Sequence, residues 1–168
     1  MEKAKSILNT LSESTGHLIS YLTIFMVLGT LSIVVLRYAF DLGWIFLQEM
    51  IVWMHAAVFM IGAAYTYKQN EHVRVDIFYH DLSPRNKAKI DLAGNFIFLL
   101  PLSLSIIYFC WDYAANSWAF KEGSREAGGL PYPFVPLLKS IIPLTAILLI
   151  LESIKQVLEK ISFLKSDP

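Results

Sequence analysis

Glu49 and His55 lie six residues apart in an otherwise apolar run, and a carboxylate and an imidazole held inside hydrocarbon have the chemistry of a proton- or cation-handling site. Their neighbours qualify that reading. Gln48, His55 and Gly62 recur every seven residues, as do Glu49, Ala56 and Ala63. With Val52 and Phe59 they fall on one helical stripe of small and polar side chains. Such a stripe is also how one membrane helix meets another: small residues let backbones approach, and polar ones add hydrogen bonds. No second acid is evident at the depth of Glu49, which favours the contact stripe over an ion site. The remaining face, Met50, Met54, Ala57, Val58 and Ile61, is oily and suits lipid.

Other candidates are weaker. Arg37 ends the first apolar run at a depth similar to Glu49, so an Arg37–Glu49 pair is expected, shared or not with a partner. The alternative for Arg37 is that it reaches the headgroup phosphates. His72, Asp76 and His80 have helical metal-ligand spacing. However, His72-Val73-Arg74-Val75-Asp76 alternates like a turn or interfacial strand, and Arg74 repels a cation. Haem needs two axial ligands at matching depths, and His55 is the one histidine well inside a run. Cys110 is the single cysteine, which removes paired-thiol chemistry. No metal or cofactor is expected.

The framework for these residues is membrane-spanning. Four apolar stretches, at roughly 17–39, 43–67, 90–111 and 133–157, each reach the length needed to cross a bilayer, about 20 residues. A mean hydropathy of +0.51 and 55% hydrophobic residues leave no room for a soluble domain beside them, so residues 1–168 read as one integral membrane domain. The expected fold is all-α, with four transmembrane helices. Ile7, Leu8, Leu11 and Leu18 form the apolar side of an amphipathic lead-in lying at the membrane surface. Ten of the 14 Lys and Arg residues fall in the two tails and the second connection, four in and around the first and third. The positive-inside rule then places both termini in the cytoplasm. A net charge of zero offers nothing to nucleic acid. Pro101 should bend the third span and Pro143 the fourth, and Glu152 could reach Asn95.

Taken together, several runs resemble a known family. Gly43-Trp44 through Gln48-Glu49, then Gly62-Ala63-Ala64-Tyr65, then His72-Val73-Arg74-Val75-Asp76, are similar in order and spacing to the small membrane subunit of TRAP (tripartite ATP-independent periplasmic) transporters. Arg37-Tyr38 and Ile141-Ile142-Pro143-Leu144 fit the same pattern, so the likeness covers nearly the whole chain. Gln48 departs from it, standing where the family often has the first of two adjacent acids.

The resemblance implies a multi-pass protein of the bacterial inner membrane that is not an enzyme. It implies a scaffold role beside a large membrane subunit that carries the substrate and sodium sites and imports organic acid anions, with a periplasmic binding protein delivering them. On that reading Arg37, Gln48, Glu49, Val52, His55, Ala56, Phe59, Gly62 and Ala63 meet the large subunit. His72, Arg74 and Asp76 form a cytoplasmic motif, and Asp41, Trp44, Lys121 and Arg125 help dock the binding protein. Membrane lipids cover the rest. The competing class is a stand-alone four-helix exporter that uses Glu49 as its proton-coupling carboxylate.

Overall fold

A computed structural model describes the backbone of residues 2–69 and 79–166, with side chains from residue 21 onward. His72, Arg74 and Asp76 lie outside the described residues. The described elements are helices: α1 (Glu2–Phe40), α2 (Ile45–Lys68), α3 (Pro84–Gly94), a π-helical turn (Asn95–Leu99), α4 (Leu100–Ala119) and α5 (Phe134–Ser166). Tyr21–Phe40, Ile45–Lys68, Pro84–Ala119 and Phe134–Ser166 are long and apolar enough to cross a membrane, so the all-α, four-span expectation holds.

The lengths differ from expectation in ways the chain explains. The lead-in is helical and continuous with the first span: α1 is one helix from Glu2, and no proline interrupts it. The third span begins at Pro84, where Ser83 caps the helix by accepting from the Asn86 N–H at 3.4 Å and proline fills the first turn. It continues through the π turn into α4, and the irregularity sits ahead of Pro101 itself. There the Leu100 N–H reaches back five residues to the Asn95 carbonyl. Helix α5 runs on to Ser166, well past the apolar stretch.

The helices pack as an open row, not a closed bundle. Among the described residues, α1 packs on α2, α2 on α5, and α5 on α4, leaving α1 and α4 at opposite edges. The first connection, residues 41–44, and the loop between α4 and α5 share one end of this row, here termed the loop end. The Asp91, Asn95 and Gln156 contacts lie at the other.

Burial follows hydrocarbon rules. The interior holds small and polar residues: Asn95, Ser103, Ser117, Thr145, Glu152, Ser153, Ala114 and Ala146. The large apolar side chains of α4 and α5, such as Phe109, Leu144, Ile147 and Leu151, point outward. Water would reverse that distribution, whereas lipid tails give apolar groups no reason to hide and give polar groups a strong one. Close approach supplies the dispersion contact. At the α1–α2 seam a Cβ on Gly29 would stand 3.1 Å from Ile51 Cδ1.

A polar knot fastens the end away from the loops. Tyr67 and Ser153 both donate to Asn95 Oδ1, each at 2.7 Å, and Asn95 Nδ2 donates to the Asp91 carbonyl at 2.8 Å. Asn95 thus ties α2, the π turn and α5. Gln156 adds a bond to the Tyr67 carbonyl at 2.9 Å, and Lys160 pairs with Asp91. The expected Glu152–Asn95 contact is absent, because Ser153 takes that position and Glu152 pairs with Lys155 at 3.2 Å. Replacing Asn95 with Ala removes the acceptor that the Tyr67 and Ser153 hydroxyls share. It is expected to lower stability by about 1–2 kcal/mol, read as a lower unfolding midpoint in detergent, with Ser153→Ala losing less.

Candidate partner interface

Two surfaces carry the candidate residues: the stripe on α2 and the loop end. On α2, Ile51 turns to Gly29 of α1, while Trp53 turns to α5, where its Nε1–H donates to the Phe134 carbonyl at 3.0 Å and its ring meets Phe134 edge-on. Neighbours on both flanks bury Ala57 and half-bury Met50, Met54, Val58 and Ile61. The face expected to meet lipid is therefore occupied within the chain. The free face is the opposite one. Val52 is 65% exposed, Phe59 is 74% exposed and His55 is exposed between them. Gln48 and Gly62 continue this line half-buried, and Ala56 and Ala63 are half-buried on the flank toward α5.

Glu49 leaves that stripe. Its carboxylate accepts from the Ser124 hydroxyl at 2.5 Å and from the Leu130 N–H at 2.7 Å. The expected Arg37–Glu49 pair is not formed: both carboxylate oxygens are taken by the α4–α5 loop, which folds back over the start of α2, and Arg37 is exposed. Chain order hides this contact, since Glu49 and Ser124 are 75 residues apart. The glycine pair in the loop was its one sequence signal. The Gly129 N–H closes a turn on the Glu126 carbonyl, and Gly128 has φ +78°, the left-handed conformation such a turn requires. A Cβ on Gly129 would lie 2.4 Å from Ser124 Oγ and 2.6 Å from Glu49 Oε2, so glycine alone leaves room for the carboxylate.

A second carboxylate roots the loop on its other side. Glu122 accepts from Ser117 at 2.7 Å and from Lys139 at 2.5 Å, and the Lys139 ammonium lies 4.1 Å from the centre of the Tyr113 ring. Trp118 Nε1–H donates to Ser140 at 2.8 Å, and its ring packs edge-on against Tyr132. The four residues expected to dock a soluble partner, Asp41, Trp44, Lys121 and Arg125, are all exposed at this end. Between α2 and α5 an open groove of about 220 Å³ is lined by Glu49, Val52, Trp53, Leu130, Phe134 and Leu138. It joins the loop end to the stripe through Val52.

Among the described residues no group of His, Cys, Asp or Glu could hold a metal ion. His80 faces Asp81 at 3.0 Å. The grooves between α2 and α5 and between α4 and α5 are open.

The family described as tripartite ATP-independent periplasmic transporters, DctQ component, matches the chain over residues 26–163. The chain belongs to the DctQ family. No curated protein sequence matches it. As a DctQ component it is a multi-pass inner-membrane protein of a transporter with several parts. Within this DctQ chain, α2 links both surfaces, carrying the stripe along one face and the Glu49 loop anchor near its start.

The Glu122 contact has a pH dependence. The hydrogen bonds from Lys139 and then Ser117 hold its carboxyl below the ordinary value of 4.5. A depressed pKa means the contact supports the fold above that ordinary value and is lost as pH falls through the lowered one. Protection of the 122–130 amides, corrected for the intrinsic pH dependence of exchange, is expected to stay high at neutral pH and to fall on acidification below 4.5, and Glu122→Gln should remove much of that pH response.

Proposed function

We propose that this chain is the non-catalytic scaffold subunit of a TRAP-type importer of organic acid anions driven by sodium. It packs against a large membrane subunit that holds the substrate and ion sites, and its loop end helps dock a periplasmic binding protein. The observation that carries this reading is the bare stripe on α2. An imidazole in mid-span, between a valine and a phenylalanine that are themselves uncovered, has no polar group to meet in lipid. A companion helix supplies one. The open row of helices supports the same reading, since two broad faces suit a slab laid along a larger protein.

Charge supports the orientation, with the termini and the Lys- and Arg-rich connection in the cytoplasm and the loop end outward. Lys121 and Arg125 are then positioned to steer an acidic patch on the binding protein. The exporter alternative loses its coupling group, because Glu49 is committed to the loop.

Co-expression with the large subunit tests the stripe. His55→Ala combined with Phe59→Ala is expected to cut recovery of the complex about tenfold, while Phe109→Ala, on the outward side of α4, leaves it unchanged. Recovery of the double variant equal to that of Phe109→Ala would show that another face makes the contact. Docking is tested separately. Lys121→Glu with Arg125→Glu should slow association with the binding protein and flatten its salt dependence.

A further inference from the structure

We propose that Glu49 is a positioning residue that pins the α4–α5 loop to the second helix, so that the docking surface and the partner stripe form one rigid unit. The inference rests on the reading that the loop end meets the binding protein, and it assigns Glu49 away from the large-subunit interface.

The geometry is that of a strut. Glu49 stands one turn from Val52, on the same helix as His55 and Phe59. Its two oxygens accept from two different points of the loop, the Ser124 hydroxyl and the Leu130 N–H. Those points are themselves joined, because the Ser124 N–H donates to the Leu130 carbonyl at 2.9 Å. Ser124 Oγ also accepts from the Glu126 N–H at 3.1 Å, which extends the hold to the start of the 126–129 turn. Leu130 is 5% exposed beneath the loop, so its N–H cannot trade the carboxylate for water without lifting the loop from the groove. Charge-assisted hydrogen bonds are the strong members of their class, and two on one carboxylate fix a direction as well as a distance. The loop tip, with Arg125 exposed, is therefore held at a set height above α2.

Fixing a loop before binding removes the ordering entropy that a mobile loop loses when it docks. A rigid link also transmits force: a partner pressing on the tip loads α2, whose free face is the stripe. Without Glu49 the loop keeps its ties to α4 and α5, through Glu122 and the Trp118–Tyr132 ring contact, and loses its two hydrogen bonds to α2.

The experiment uses the assembled membrane complex with a spin label at residue 127, which is exposed at the loop tip. Glu49→Ala is expected to sharpen the label's spectrum and to weaken binding-protein affinity about tenfold, with recovery of the large subunit unchanged. Ser124→Ala, which leaves α2 untouched, should give the same changes at smaller size, and Glu49→Gln should restore part of the loss because its amide can accept from Leu130. A label that stays immobile in both Ala variants overturns the proposal, as does loss of the large subunit in Glu49→Ala alone. A loosened loop with unchanged affinity also overturns it as a docking device. If the Lys121 and Arg125 reversals leave binding-protein association untouched, the docking reading itself fails, and the label still reports whether the strut exists.

Discussion

Polar groups must find protein partners when the solvent is hydrocarbon, and that requirement organises this chain. The side chains that would be surface residues in water, Asn95, Ser103, Ser117, Thr145, Glu152 and Ser153, are its interior. Asn95 and Ser153, with Tyr67, join α2, the π turn and α5 by hydrogen bonds, whereas Thr145 and Glu152 bond within α5 and Ser103 Oγ has no hydrogen-bond partner among the described residues. Helix α5 sits at the centre of the row and carries the largest buried share, which is why it collects three of those six residues and two buried prolines. The same requirement leaves exposed Phe, Leu and Ile on the outside at no penalty.

An open row has a consequence that a closed bundle lacks. Each helix of the row keeps a face free, so the nature of that face decides what meets it. On α4 the free face is apolar and aromatic, including Tyr108, Phe109 and Trp111, and lipid suffices. On α2 it includes His55, for which lipid does not suffice. The loop end differs again, because its fold is set by two carboxylates that each tie the loop to a different helix. Its exposed charges therefore stand on a fixed base. Partner contact and loop placement thus meet on α2, a helix of 24 residues.

Periodicity and length alone determined the helical class, the four crossings and the special character of the α2 stripe, since hydrocarbon thickness and the 3.6-residue repeat act locally along the chain. The cap at Ser83 and the glycine-bearing turn of the α4–α5 loop are local features of the same kind. Charge counts sorted the connections into two sets. The family likeness was readable because it rests on the order of such local runs.

The partner of Glu49 was not legible. Its depth suggested Arg37, but which donors surround a carboxylate depends on how a distant loop folds back, and residues 124 and 130 approach it only after α5 has packed on α2. The oily side of α2 was misread for the same reason: a moment along one helix separates two faces but cannot say which one a neighbour covers. Asn95 went to Ser153 and Tyr67 instead of Glu152 because one residue of rotation on α5 decides the donor. Composition along the strand of sequence established what each segment is, and only the packing of helices against one another decided which groups touch, since those distances arise between segments far apart in the chain.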